Sequence, residues 1–238
     1  MVFDLDHTLI ACDATILWTE FLYEKKIVTD PIWRQYDRDM VKSYAKGVLD
    51  IRDFCRKHAG AFRSIPEEKL HALAQEFAKK KIAPLIFPDG KKWVKNALQA
   101  NIPACVLSAS AAFIVKPIAK LFGLTDAMGI ELAFKDGFCT GEIVGIPTFQ
   151  EGKVERLSQR LTEAGIGFED VLFFTDSRND LPLAERAGYT VCVNPDAVLE
   201  SAARKNGWKV AEWKLSLRTQ MTAQVDAKGV PETQTVRS

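Results

Sequence analysis

Short apolar runs alternate with helical periodicities over most of this 238-residue chain. Four runs, Val2 to Leu5, Pro103 to Leu107, Val171 to Thr175 and Thr190 to Val193, are bounded by polar or turn residues and read as buried strands. Helical patterns lie between them. One is capped by Asp89 and reaches about Ala100, and one is capped by Ser110 and stops near Gly123. A third spans Gly152 to Ala164, and a fourth spans Ser177 to Ala187, closed by Gly188. Strands alternating with helices predict an α/β fold with a mainly parallel sheet covered on both faces.

The interval from Asp13 to Leu85 breaks this rhythm. Phe21, Leu22, Tyr36, Met40, Leu70 and Phe77 recur with helical spacing, and Pro31 and Pro66 look like helix starts. A connection this long predicts a small all-helical domain of its own. The expected organisation is a core of residues 1–12 and 86–216, a helical insertion at 13–85, and a flexible tail at 217–238. The run from Lys135 to Gly141 reads as a β-hairpin. Only three residues precede Asp4, which predicts a short first strand.

Composition narrows the class. Apolar residues make up 47% and charged ones 26%, as in an ordinary soluble globular protein. A net charge of +1 offers no field to recruit nucleic acid or an acidic membrane. No apolar run approaches the ~20 residues needed to span a bilayer, and no secretory signal is visible. The five cysteines are odd in number and form no CxxC pair, which fits reduced thiols in a cytoplasmic protein.

The chemistry begins at Asp4 and Asp6. On an extended backbone, residues spaced i, i+2 point to the same side. Two carboxylates ~4 Å apart repel by roughly 4 kcal/mol at an effective dielectric of ~20. A cation or a shared proton would reconcile them; the plainer reading is an acidic turn. Three further signals fall at strand ends or helix starts: Ser108 after an apolar strand, Lys153 opening a helix, and the run Thr175-Asp176-Ser177-Arg178-Asn179-Asp180. Taken singly they read as a strand-end serine, a solvated lysine, an N-cap and a first-turn acid. Taken together they would converge outside the carboxyl ends of the strands, where open α/β sheets bind ligands.

The four motifs in this order resemble the haloacid dehalogenase superfamily, in the branch with a helical cap inserted after the first motif. That branch includes the phosphoserine phosphatases. The resemblance covers nearly the whole chain except the tail. It implies a Rossmann-like core and Mg²⁺-dependent hydrolysis of a small-molecule phosphate ester. Asp4 matches the nucleophile that forms an aspartyl-phosphate, Asp6 the general acid and base, and Lys153 the charge-balancing lysine. Thr8, Ser108 and Asn179 match phosphate-binding or loop-holding positions. Asp176 and Asp180, with Asp4 and the backbone carbonyl of Asp6, match the metal site, an all-oxygen set suited to Mg²⁺.

The resemblance also bears on the substrate. Asp13 falls where phosphoserine phosphatases carry a glutamate that contacts the substrate amine. Arg56 falls where they place the arginine that grips its carboxylate. Other segments, such as Phe113 to Gly123, are more similar to a bacterial subgroup that includes histidinol-phosphate phosphatases, and histidinol phosphate has no carboxylate. The reading is therefore a small amine-bearing phosphomonoester, with histidinol phosphate ahead of phosphoserine. A catalytically silent binding protein on the same fold is the alternative from another class. A monomer or homodimer is expected, with neither nucleic acid nor membrane as partner.

Overall fold

The computed structural model describes residues 1–215. The sequence-predicted tail, and the last residue assigned to the core, lie outside them. The central element is β1 (Val2–Phe3), flanked by β2 (Cys105–Ala111) and β6 (Leu172–Thr175). Outside β2 runs β3 (Ala127–Ile130), and outside β6 run β7 (Tyr189–Val193) and β8 (Lys209–Ala211). The order is β3-β2-β1-β6-β7-β8, and every pairing is parallel. Only two residues of β1 pair, yet both are buried. Phe3 stacks on Phe174 at 4.6 Å between ring centres, which anchors the short strand in the middle of the sheet.

Crossover helices cover the sheet: α5 (Pro88–Gln99), α6 (Ala112–Lys120), α7 (Glu151–Ala164), the single turn α8 (Leu181–Ala184) and α9 (Ala197–Asn206). Parallel strands need such crossovers, and these bury both faces. Two predicted starts are corrected. Asp89 lies in the first turn of α5 rather than at its cap, because Pro88 takes the first position. Ser110 belongs to β2, which continues to Ala111 before α6 begins.

Between the first strand and α5, residues 14–85 form helices only: α1 (Ala14–Glu24), α2 (Ile32–Ala45), α3 (Ile51–His58) and α4 (Glu67–Phe77), then a π-helical turn at Ala78–Ile82. Asp13 caps α1 by accepting from Thr15 N–H and Ile16 N–H at 2.9 and 3.0 Å. Lys79, Lys80 and Lys81 lie in the π turn, through which the helical run continues from α4. Trp18 is fully buried and meets Phe77 and Phe113 edge-on. The helical insertion thereby shares an aromatic core with α6. The hairpin, β4 (Leu132–Lys135) and β5 (Phe138–Ile143), forms a separate two-stranded sheet, bridged to the insertion at Pro66 and Phe138. It leans on the insertion, where Glu67 N–H donates to Gly137 C=O at 2.8 Å.

Candidate active site

β1 ends at the switch point where the chain departs to either side of the sheet, so its last residues open on the crevice above the strands. Asp4 is placed there, its N–H donating to Phe174 C=O at 2.9 Å. The opening of α7 brings Lys153 alongside. The lysine is 1% exposed, its Nζ donating to Asp4 Oδ1 at 2.7 Å and to Asp180 Oδ2 at 2.8 Å. Thr175, the last residue of β6, donates its hydroxyl to the same Asp180 oxygen at 2.7 Å. Burial works against the ammonium, but Asp180 and Asp4 outweigh it and hold its pKa above the ordinary lysine value.

Asp6 is held by three donors. Ala14 N–H reaches Oδ1 at 2.6 Å, and the hydroxyls of Ser108 and Ser110 reach Oδ2 at 3.2 and 2.8 Å. Ser110 also lies 3.2 Å from the Thr15 hydroxyl on α1, so one serine joins sheet, acid and insertion. Burial pushes the Asp6 carboxyl up to about 6, with Asp13 adding to the rise and the Ala14 and Ser110 bonds opposing it. Burial pushes Asp4 up to about 7; Lys153 pulls it down, and Asp180 and Asp6 push it further up. Asp176 is raised well above the usual carboxylate range by burial, then by Asp4 and Asp180.

Asp4 and Asp180 are buried and Asp6 and Asp176 half-buried, and together they outnumber the one lysine among them. Such an excess calls for a cation, and the all-oxygen donors suit a hard divalent ion such as Mg²⁺. The geometry narrows the donors. Among the described residues no three His, Cys, Asp or Glu side chains gather as a ready metal cluster. Asp6 turns its carboxylate to the serines, which leaves its backbone carbonyl as the expected donor, and Asp180 is held by Lys153 and Thr175. Asp4 and Asp176 line the crevice together with Asp6 and Asp13, whose carboxylates are held by the serines and by the start of α1.

A cavity of about 190 Å³ covers this centre. Asp4, Asp6, Asp176, Asp13 and Ser110 line its polar side. Ile16 from α1, Met40, Val41 and Tyr44 from α2, and Ile51 and Phe54 from α3 line the other. His7 also faces it, on a backbone with φ 55°, the left-handed region.

Three expected site residues lie elsewhere. Thr8 is fully buried and donates to Asp176 Oδ1 at 3.2 Å, so it positions an acid and does not face the cavity. Asn179 is turned to the insertion, its Nδ2 donating to Tyr44 C=O at 3.0 Å. Arg56 is exposed, with Nε 2.9 Å from Glu142 on β5. Its fork is committed to the hairpin, away from the cavity.

Two residues missed in the sequence complete the site. Gln150 donates to Gly47 C=O at 3.3 Å and to Asn179 Oδ1 at 3.1 Å. Its backbone has φ 49° and ψ −123°, a sparsely populated region of the kind found at functional sites. Tyr44 reaches in from α2, its ring 5.8 Å from Phe149. The spacing of Met40, Val41 and Tyr44 on one helix face was the available signal. Gln150 and Asn179 together tie the end of α2 to the core through main-chain carbonyls. Gly47 follows with φ +71°, its Cα so near Arg178 that a Cβ would meet the guanidine at 3.3 Å.

A parallel sheet with a helical insertion after its first strand, and a lysine-bridged pair of aspartates at its crest, define a haloacid dehalogenase-type phosphatase. The profile of haloacid dehalogenase-like hydrolases matches residues 1–185, and the chain belongs to that family. A protein named histidinol-phosphatase from Neisseria meningitidis is 35% identical over 217 residues, covering 90% of this chain and 98% of its own. A phosphoserine phosphatase from Mycobacterium tuberculosis is 27% identical, covering 90% of this chain and 70% of its own. Among solved structures, a Bordetella pertussis protein of unknown function superposes with a TM-score of 0.79 at 31% identity, covering 88% of this chain and 96% of its own. A phospho-aspartyl intermediate analogue of phosphoserine phosphatase shares the fold, with a TM-score of 0.65 at 22% identity, covering 93% of this chain and 96% of its own. The chain is a phosphoric monoester hydrolase, in a family whose phosphatases are generally magnesium-dependent. Among the described residues no helix is long and apolar enough to cross a membrane.

Proposed function

We propose that the chain hydrolyses a small amine-bearing phosphomonoester, histidinol phosphate ahead of phosphoserine, through an aspartyl-phosphate on Asp4. The observation that carries the substrate reading is the cavity wall. Among the described residues lining it there is no lysine or arginine, whereas Asp13 is present. One oxygen of Asp13 caps α1, which leaves the other for a substrate amine. A carboxylate would find no cationic partner unless Arg56 left Glu142. The name of the Neisseria relative agrees with this reading.

The steps follow from the placement of the groups. An Asp4 oxygen attacks phosphorus, and the ester P–O bond breaks. Protonated Asp6 gives its proton to the departing alkoxide, and burial, which raises its pKa, keeps that proton available near neutrality. The phosphoryl group is then on Asp4. Asp6, now a carboxylate, takes a proton from water as that water attacks phosphorus, and phosphate leaves with Asp4 restored. Lys153 stays charged throughout and offsets the negative charge that gathers at Asp4. Asp4 and Asp176, with the Asp6 backbone carbonyl, would hold Mg²⁺, which supplies charge neutralisation for the phosphoryl oxygens.

The test is a panel of phosphate esters with Mg²⁺, assayed on wild type and Arg56→Ala. Histidinol phosphate is expected to give the highest kcat/KM, unchanged in the variant. Phosphoserine preference that is lost with Arg56 would reverse the substrate reading. Preference for a sugar phosphate would end both versions.

A further inference from the structure

The mechanism above leaves one hydroxyl at the reaction centre without a role. Tyr44 of α2 lines the reaction cavity together with Asp4, Asp6 and Asp176. Two contacts fix its place. Its ring packs on Phe149 of the core, and its main-chain carbonyl accepts from Asn179 Nδ2. Asp180, Asp4 and Asp176 lie within electrostatic reach of the phenol, and the Ser177 hydroxyl is its hydrogen-bonding neighbour. A serine hydroxyl has one proton to give and two lone pairs to receive. The Ser177 oxygen already accepts from Asn179 N–H at 3.2 Å and from Asn179 Nδ2 at 3.3 Å. Its proton is therefore left for the phenol oxygen, and the phenol keeps its own proton to give elsewhere.

The other hydroxyls that line the cavity are committed. Ser110 gives its proton to Asp6, and Thr15 faces Ser110 at 3.2 Å. Among the described residues no carboxylate is hydrogen-bonded to the phenol, although three lie near it. A donor aimed into a cavity of acids, and bonded to none of them, fits an acceptor that arrives with the substrate. When Asp4 attacks, the transferring phosphoryl group lies beside Asp4, and charge spreads over its three equatorial oxygens. We propose that Tyr44 is a catalytic residue supplied by the insertion, its hydroxyl donating to an equatorial phosphoryl oxygen in the transition state and in the aspartyl-phosphate on Asp4. This rests on the phosphatase reading above and adds a contact to it. No bond is made or broken at Tyr44. An ordinary tyrosine titrates near ~10, so the phenol keeps its proton near neutrality. The contact is to oxygens that every phosphate ester carries, so it is blind to the leaving group.

Tyr44→Phe keeps the ring and the carbonyl that Asn179 holds, and removes the hydroxyl alone. Steady-state kinetics with Mg²⁺ uses three esters with unlike leaving groups: histidinol phosphate, phosphoethanolamine and p-nitrophenyl phosphate. On each ester that wild type turns over, kcat/KM should fall by about 10²-fold, the lower end of what loss of one preorganised donor costs. Inhibition by orthovanadate, an oxyanion with no leaving group, should weaken by a similar factor. Hydrogen exchange at Tyr44 to Gly47 should match wild type, which separates loss of the donor from loosening of the helix. A loss confined to one ester would make Tyr44 a leaving-group wall and overturn the inference. Unaltered orthovanadate inhibition, or exchange that quickens at Tyr44 to Gly47, would overturn it as well. Tyr44→Leu, also without the hydroxyl, carries the same expectation for orthovanadate if Tyr44→Phe does not fold. Failure of the phosphatase reading looks different: wild type would then turn over none of the three esters.

Discussion

Lys153 and Asp4 stand 149 residues apart in sequence and 2.7 Å apart in space, with Asp180 on the other side of the same ammonium. Replacing the lysine by methionine keeps the volume and removes the only buried cation beside two buried acids. Stability should fall by about 3–5 kcal/mol, the usual cost of breaking a buried pair from one side. Urea unfolding at neutral pH measures this, and hydrolysis should be lost as well. A variant as stable as wild type would contradict the view that the lysine carries the charge balance here.

Asp4→Asn should remove turnover by at least about 10⁴-fold, as loss of a nucleophile does elsewhere. Its fold should persist, because Phe3 and the Asp4 main chain keep their partners. Removing one negative charge from an overcrowded acid cluster should not lower Tm. Circular dichroism and a malachite-green phosphate assay read the two outcomes. Undeamidated Asp4→Asn protein with normal turnover would refute the nucleophile assignment.

Ser110→Ala takes the shorter hydroxyl bond from Asp6 and the link to Thr15 together. A fall in kcat of about tenfold is expected, smaller than the ~10²–10⁴-fold loss for Asp6→Asn, because Ser108 and Ala14 still hold the acid. Ser110→Thr, which restores a hydroxyl, should recover part of the loss. Equal activity in Ser110→Ala and wild type would mean that the serine does not orient Asp6.

Asn179→Ala cuts the tie between the Asp176 to Asp180 loop and the Tyr44 carbonyl. One net hydrogen bond is worth roughly 1 kcal/mol, so the global stability change should be small. The local effect should be larger. Hydrogen exchange should accelerate around Tyr44 to Gly47, and KM should rise several-fold for small esters. Unaltered exchange in that segment would show that the tie does not govern the position of α2.

Asp37, buried on α2, gives Asp37→Asn a pH-dependent stability signature. Burial pushes the Asp37 carboxyl up to about 7 from 3.8, opposed by the Thr19 hydroxyl and reinforced by Asp13. The fold therefore favours the protonated acid. That contribution is complete below pH 3.8 and is lost as pH rises through about 7. Asparagine stays neutral at every pH. The variant should match wild type near pH 3.5 and exceed it by about 1–3 kcal/mol at pH 8, allowing for solvent screening. His58 is common to both proteins, so the difference isolates Asp37. Melting curves across this range would show a pH-independent offset if the shift were absent.

The catalytic strand ends were legible because their signals are local. Asp4 and Asp6 follow an apolar run, and Lys153 opens a helix, so topology alone brings them to one crest. Ser110 was misread because β2 runs four residues past Leu107, and a serine before a helix looks the same whether it caps or pairs. The Ser177 to Ala187 pattern shrank to one turn, Leu181–Ala184, since Ser177 and Asp196 hold the preceding loop through Asn179 N–H and Arg178 N–H. β3 went unseen because it is four residues long and contains Gly129. Tyr44 could not be assigned to the site, because the rotation of α2 over the crevice is set by packing that no local pattern encodes.

The tie between Asn179, Gln150 and the end of α2 ends on the carbonyls of Tyr44 and Gly47, atoms that every residue possesses. Holding the helix down and choosing the ester are thus written in different alphabets, one in backbone and one in side chains. Positions 40, 41 and 44 can be exchanged without unfastening the helix. A lineage carrying this device could move from one phosphate ester to another in single steps, each intermediate still shutting over its reaction centre.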